Sequence, residues 1–441
     1  TGNNNVAIGY DASVAQTTGG NNIAIGYQAL KSETTGNNST AVGYQALKNA
    51  DVGGNTAFGA TAMLSTTTGN ANAAFGQNAL ADNTTGGNNT AIGISALRAN
   101  TTASNNVALG MEAMRYNTTG TRNTALGYYS LKANTDQSDN TAVGYNALAA
   151  NTTGSVNTAV GTYSLDANTT GIRNTAFGYD AMTANTTGGQ NVAVGTYALS
   201  GSTTVNDCVA VGYDCLSQAN AGASNTAIGS YALKANTTGI NNVALGANSL
   251  QPNTTGGENT AVGKGALASN TTASGNTAVG SNCLVSNTTG ALNTAVGYNA
   301  LDANTTGGDN VAMGWSALTA ATTASNNTAI GAHCMQSCVT GNTNTGVGQE
   351  CLLNVTGDKN TFMGNSSGWW ISSGENNSGI GYLAGYNVTT GENNTLLGSE
   401  AGTASSPSGA ISTSSNNVVL GDNSVANLYC ADTSISSSDA R

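Results

Sequence analysis

Residues 140–154 read NTAVGYNALAANTTG, and variants of that phrase recur along the whole chain. Its central glycine, Gly144, has counterparts at Gly127 and Gly161, and outward from these at 25 positions from Gly9 to Gly421. Of the 24 intervals, 21 are 17 residues, two are 16 (Gly43 to Gly59 and Gly348 to Gly364), and the last, Gly398 to Gly421, is 23. A period this constant means one structural coil per repeat and outranks any local helix or strand preference.

With the marker glycine as position 0, the unit reads Asn(−4), Thr or Val(−3), Ala(−2) and a large apolar residue(−1), then Gly(0) and often Tyr(+1). It continues with Ala or Ser(+3), Leu(+4), Ala(+6) and Asn-Thr-Thr-Gly(+7 to +10). Positions −4 to 0 alternate and are β-branched, which predicts a short strand, and +1 to +4 read as a second. Asn-Thr-Thr-Gly has turn chemistry. The predicted fold class is all-β: a parallel β-solenoid or β-roll of about 25 laps, with laps ~4.8 Å apart and a length on the order of 120 Å. The large residues at −1 and +4 are expected inside each lap. That leaves Ala(−2) and Gly(0), as in Ala142/Gly144 and Ala159/Gly161, on an outer face so small and uniform that another backbone should approach it. The expected assembly is a parallel homotrimeric rod.

Composition narrows the function classes. The 441 residues carry 11 Lys+Arg against 22 Asp+Glu, a net charge of −11, and only 7 % are charged. No basic cluster exists to displace counterions from nucleic acid, and no apolar run approaches the ~20 residues of a membrane span. Thr1 reads as an internal residue of a longer chain. Three segments are expected: regular laps over 1–344, atypical terminal laps with a Trp-containing insert over 345–421, and a tail over 422–441.

The phrases NTAVGYNALAANTTG (140–154) and NNVALGANSLQPNTTGG (241–257) resemble the repeats of trimeric autotransporter adhesin heads, left-handed parallel β-rolls that trimerise through their strands. The final stretch, NNVVLGDNSVANLYCADTSISSSDAR (416–441), resembles the junction of bacteriophage tail fibres that precedes an intramolecular chaperone of the endosialidase type. That resemblance implies a cleavage junction at Ser438, Asp439 and Arg441, with the chaperone beyond the chain. The expected function is a structural, extracellular or virion-surface fibre for host-cell attachment. Its partners would be two further copies of itself and a host glycan or protein. A bacterial adhesin head is the alternative, and a polysaccharide depolymerase or an ice-binding solenoid are remoter readings.

Candidate chemistry is sparse. Trp369, Trp370 and Tyr386 are the aromatics suited to stacking on a sugar. Asp180 and Asp214, both at +2 and two laps apart, only brush the carboxylate spacing of an inverting glycosidase, and no catalytic role is expected. Four of the seven cysteines (Cys215, Cys283, Cys334, Cys351) occupy +3 as small fillers. Cys334 and Cys351 lie on adjacent laps, close enough for a disulfide. His333 beside Cys334 and Cys338 matches no standard zinc spacing, so neither metal nor cofactor is expected. The Asn-Thr-Thr sequons, from Asn100 to Asn304, are read as turn chemistry.

Overall fold

Each lap forms one strand of three residues, and turns make up the rest. The computed structural model describes residues 2–219 and 222–426, and it divides into two compact units, Thr1–Gly256 and Gly257–Arg441. The first unit holds fifteen strands, β1 (Val6–Ile8) to β15 (Val243–Leu245), and the second holds ten, β16 (Thr260–Val262) to β25 (Val418–Leu420). Among the described residues there is no helix. Each unit is a parallel β-solenoid in which like residue pairs with like: Thr141 with Thr158, Ala142 with Ala159, Val143 with Val160. The irregular intervals do not break this register. Thr40 pairs with Thr56, Thr345 with Thr361, and Thr395 with Val418. The extra residues of the longest interval are absorbed in a hydrogen-bonded turn around Thr403–Gly409.

The second strand expected at +1 to +4 is absent, because +2 and +4 take left-handed backbone conformations. Asn146 has φ 54° and Leu148 φ 53°, and the same pair recurs in lap after lap. Left-handed backbone is unfavourable for residues with a Cβ, so it persists only where the stack enforces it. Bonds between laps do so: Asn146 N–H donates to Tyr128 O and Leu148 N–H to Ser164 O, so the turn, like the strand, is laddered to both neighbours. The marker glycine is constrained more tightly still. Gly144 has φ 138°, and a Cβ there would meet the Gly161 carbonyl oxygen at 2.4 Å.

The interior contains Leu(+4), as expected, but the strand faces the opposite way from the one expected. Ala(−2) is wholly buried from Ala24 to Ala329, as at Ala142 and Ala159, and so are Ala147 and Leu148 at +3 and +4. The −1 residues point outward, with Phe177 56 % and Ile228 42 % exposed. Strand alternation puts −2 and 0 inside and −3, −1 and +1 outside. The reason is volume: Leu(+4) reaches across a narrow coil, so only a small residue fits opposite. The atypical laps prove the rule by trading sizes. Where −2 is Phe362, +4 is Gly368, and where −2 is Leu396, +4 is Gly402. The lap between has Gly379 and Gly385 at these positions, and a Cβ on Gly379 would meet the Phe362 ring at 2.2 Å.

Two columns of buried amides join the laps. Asn(−4) is the first. Asn140 Oδ1 accepts from the Asn157 backbone N–H at 3.0 Å, and Asn140 Nδ2 donates to Gly154 O at 3.0 Å. Asn(+7) is the second: Asn151 Nδ2 donates both to Gly154 O at 2.8 Å and to Asn134 Oδ1 at 3.1 Å. These amides satisfy turn carbonyls that a 17-residue lap leaves without a backbone partner. In the second unit the +7 column turns apolar, through Ala321, Cys338, Val355, Ile371 and Val388, all buried.

Because −2 is full and −1 is open, Ala142→Leu should destabilise the first unit by about 1–3 kcal/mol through overpacking. Val143→Leu should stay within about 0.5 kcal/mol. Thermal unfolding of the two variants checks the assignment, and equal behaviour would overturn it.

Candidate functional site

The departures from the repeat are where unusual side chains gather. In the second unit, Phe362 fills the core from −2, and positions +5 and +6 of that lap are Trp369 and Trp370, the latter where most laps carry a small residue. Trp369 is half-buried and lies between Trp370 and Tyr386, with ring centroids 6.4 Å and 5.8 Å away. Trp370 is 49 % exposed. The Asn354 side chain donates to Trp369 O at 3.0 Å, and Trp370 N–H donates to Tyr386 O at 3.3 Å, so backbone bonds on both sides set the cluster. The three aromatics singled out from the sequence therefore form one surface. It offers the open Trp370 face and ring edges to a flat, partly apolar ligand.

The other candidates do not converge in this way. Asp180 and Asp214 stay two laps apart with Tyr197 in the same column between them, and Asp214 is bound to Lys234 at 2.6 Å. Burial, with the Asp166 carboxylate adding to it, pushes Asp180 above the ordinary carboxylate range. Cys334 and Cys351 are free thiols in the core. Contact with the Cys351 thiol, with burial adding to it, holds the proton on Cys334. Their bulk explains Gly346 at −2, where a Cβ would meet Cys334 Sγ at 2.8 Å. Cys215 and Cys283 are buried fillers whose thiols burial pushes up to about 12. Cys208 and Cys338 instead replace ladder asparagines, and their thiols meet Gly222 O and Gly341 O. His333 packs on Trp315 at 4.4 Å. Among the described residues no three His, Cys, Asp or Glu side chains come together in a way that could hold a metal ion, and no helix is long and apolar enough to cross a membrane. Ser438, Asp439, Arg441 and Cys430 lie outside the described residues.

The sequon asparagines are ladder residues. Asn100, Asn117, Asn151 and their equivalents are wholly buried, with their amides bonded. Tyrosines at +1 stack between laps, Tyr10 on Tyr27 at 5.5 Å and Tyr27 on Tyr44 at 5.3 Å. A longer array, which no single column of the repeat displays, alternates between two positions. Tyr145, Tyr163, Tyr179, Tyr197, Tyr213 and Tyr231 occupy +1 and +2 in turn and meet edge to face, with centroids 5.3–6.4 Å apart. Comparison with known proteins finds no family model that matches this sequence and no curated protein that matches it.

One buried acid interrupts the first unit. Glu33 takes a +7 position and is wholly buried, and neither carboxyl oxygen makes a well-formed hydrogen bond. Burial pushes its carboxyl up to about 7; the Ser39 hydroxyl pulls it partly back and Asp51 adds to the rise. Below the ordinary glutamate range, folded and unfolded chains both carry the neutral acid. Between 4.5 and about 7 the unfolded chain has given up a proton that the folded chain keeps, so stability falls with rising pH over that window and levels off above it. Hydrogen exchange in the laps around Glu33 should speed up between pH 5 and pH 8, for an opening free energy lower by on the order of 3 kcal/mol. Glu33→Gln should abolish that dependence. A slope unchanged in the variant would show that another group is responsible.

Proposed function

We propose that this chain is a structural, extracellular fibre segment of the phage tail-fibre type, which assembles as a parallel homotrimer and presents its aromatic cluster to a host surface. One observation carries the reading: the unbroken outward column of large apolar residues at −1 in each unit, among them Ile92, Leu109, Leu126 and Phe177 in the first. Exposed apolar surface of this extent marks an interaction face. A partner that covers it lap after lap needs the same rise per lap, and a second copy in register has that by construction. Three such faces meeting on one axis leave none uncovered. This replaces the Ala/Gly face as the seam, since Ala(−2) is inside. The resemblance of the repeats to trimeric adhesin heads, and of the tail to a fibre–chaperone junction, supports the same assembly. Low charge and repetition suit a spacer that projects a binding element, with avidity from several copies.

A second reading, an ice-binding solenoid, has one observation in its favour: Thr(−3), as at Thr158 and Thr175, faces outward on the strand. The adjoining column is uneven, however, with Phe58, Phe75 and Met313 among aliphatics, and does not make the flat, uniform array an ice plane would match.

Light scattering should give a mass near 130 kDa, three times the 43.5 kDa chain. The double variant Phe177→Glu/Ile228→Glu should shift it toward one chain with the β-sheet circular dichroism unchanged. A monodisperse monomer for the unaltered chain would overturn the assembly. Attachment is tested separately. Trp370→Ala should weaken binding to immobilised cell-surface glycans at least tenfold and move the melting temperature little, and undiminished binding would remove the cluster from the reading.

A further inference from the structure

Six of the chain's eleven cations, Lys31, Lys48, Arg98, Arg115, Lys132 and Lys234, fall at a single repeat position, +5. Three of them follow one another on successive laps. Backbone bonds fix the row: Asp82 N–H donates to Arg98 O at 3.0 Å, Ala99 N–H to Arg115 O at 3.0 Å, and Tyr116 N–H to Lys132 O at 3.2 Å. Lap by lap, two guanidiniums and an ammonium are therefore stacked at +5 of the first unit, and the Asp82 carboxylate stands at +6 of the lap before Arg98.

A pocket of about 140 Å³ opens in this row, lined by Asp82, Arg98, Ala99, Arg115 and Tyr116. Tyr116 makes it. Position +6 is alanine on both neighbouring laps, Ala99 and Ala133, so the Tyr116 ring, 45 % exposed, stands beside an open floor. Arg115 is held in place from two sides. Its guanidinium binds Glu112 at 2.5 Å and lies 5.3 Å from the centre of the Tyr116 ring. Lys132 binds the other Glu112 oxygen at 2.9 Å. Arg98 has no ion pair and no side-chain hydrogen bond among the described residues, whereas Arg115 and Lys132, the next two cations of the row, are both engaged. Counting Asp82 and Glu112 against Arg98, Arg115 and Lys132, the spot is positive on a chain of net charge −11.

We propose that this pocket binds a single carboxylate-bearing sugar unit of a glycan. The free Arg98 fork, with Arg115 one lap away, suits bidentate contact with a carboxylate. The Tyr116 ring suits the apolar face of a pyranose, and Asp82 accepts from its hydroxyls. An inorganic anion would have no use for Asp82 or Tyr116, and Asp82 would repel it. The pocket is smaller than the ~300–1,000 Å³ of sites for drug-sized ligands, which fits one ring and not a run of several. The +5 and +6 columns are separate from the −1 column assigned to self-assembly, so the site is complete within one chain.

The test is calorimetric titration of the whole chain with the methyl glycosides of glucuronic and galacturonic acid, set against the corresponding neutral glycosides and inorganic phosphate. At least one uronide should bind saturably and at least tenfold tighter than its neutral counterpart. Arg98→Gln and Tyr116→Ala should each weaken it at least fivefold with the melting temperature unchanged. Arg122→Gln, in an exposed pair with Asp139 away from the pocket, should bind as the unaltered chain does. Absence of saturable uronide binding, or equal binding by Arg98→Gln, overturns the proposal. So does phosphate binding as tightly as the uronides and unaffected by Tyr116→Ala, which would make the pocket a plain anion site.

Discussion

A buried side-chain amide that bonds one lap to the next is the contact on which the rest of this structure depends. In 17 residues a chain must turn through a full coil, and its corner carbonyls cannot all find backbone partners. Asn(−4) meets this need twice over: Asn140 closes its own turn at Gly154 and receives the backbone N–H of Asn157. An unpaired buried carbonyl or N–H would cost about 1–3 kcal/mol each, and a lap with so thin an apolar core has little to offset that. The ladder works only when each amide sits directly under the next, which holds the repeat length near 17. The 16-residue interval from Gly348 to Gly364 and the 23-residue one keep the Asn in register and place the change in the turns, whereas at the other 16-residue interval Ser39 stands where the ladder Asn would be.

The second constraint is width. The coil accepts one large side chain and one small one across it, and the chain satisfies this in two ways: Ala(−2) with Leu(+4) in the regular laps, Phe362 with Gly368 or Leu396 with Gly402 near the end. With the interior filled from +4, the apolar residues at −1 have nowhere to go but out. The outward apolar column is thus a by-product of the same geometry that buries alanine, and it is the surface through which the proposed assembly would form. The second unit adds apolar packing at +7, through Val355, Ile371 and Val388, where the first uses asparagine.

Unusual chemistry appears only where a side chain departs from the repeat, because every repeated position is committed to stacking. Trp370 and Tyr116 replace small residues at +6, and Trp369 stands at the variable position +5 beside Trp370. Glu33 replaces the polar ladder residue at +7. The tryptophan pair was legible in the chain because tryptophans are rare in it. The Arg98–Arg115–Lys132 row was not, since its members lie 17 residues apart and look like scattered charges. Tabulating each column of the repeat would have revealed it, as it would the tyrosine array that alternates between +1 and +2.

The sequence by itself determined the period, the parallel β-solenoid, a strand within −4 to 0 and the turn at Asn-Thr-Thr-Gly, because a stacked repeat makes like residues neighbours whatever the shape of the lap. It also placed Trp369, Trp370 and Tyr386 together, for the same reason. The inward direction of the strand was decided only in three dimensions. Alternation says that −2 and −1 face opposite ways but not which way is in, and hydrophobicity alone favoured the larger residue. The choice depends on how far Leu(+4) reaches across the coil, and that in turn depends on left-handed backbone at +2 and +4. Such conformations are costly for ordinary residues in isolation, carry no sequence signature at a leucine, and are held in place by hydrogen bonds to the laps on either side.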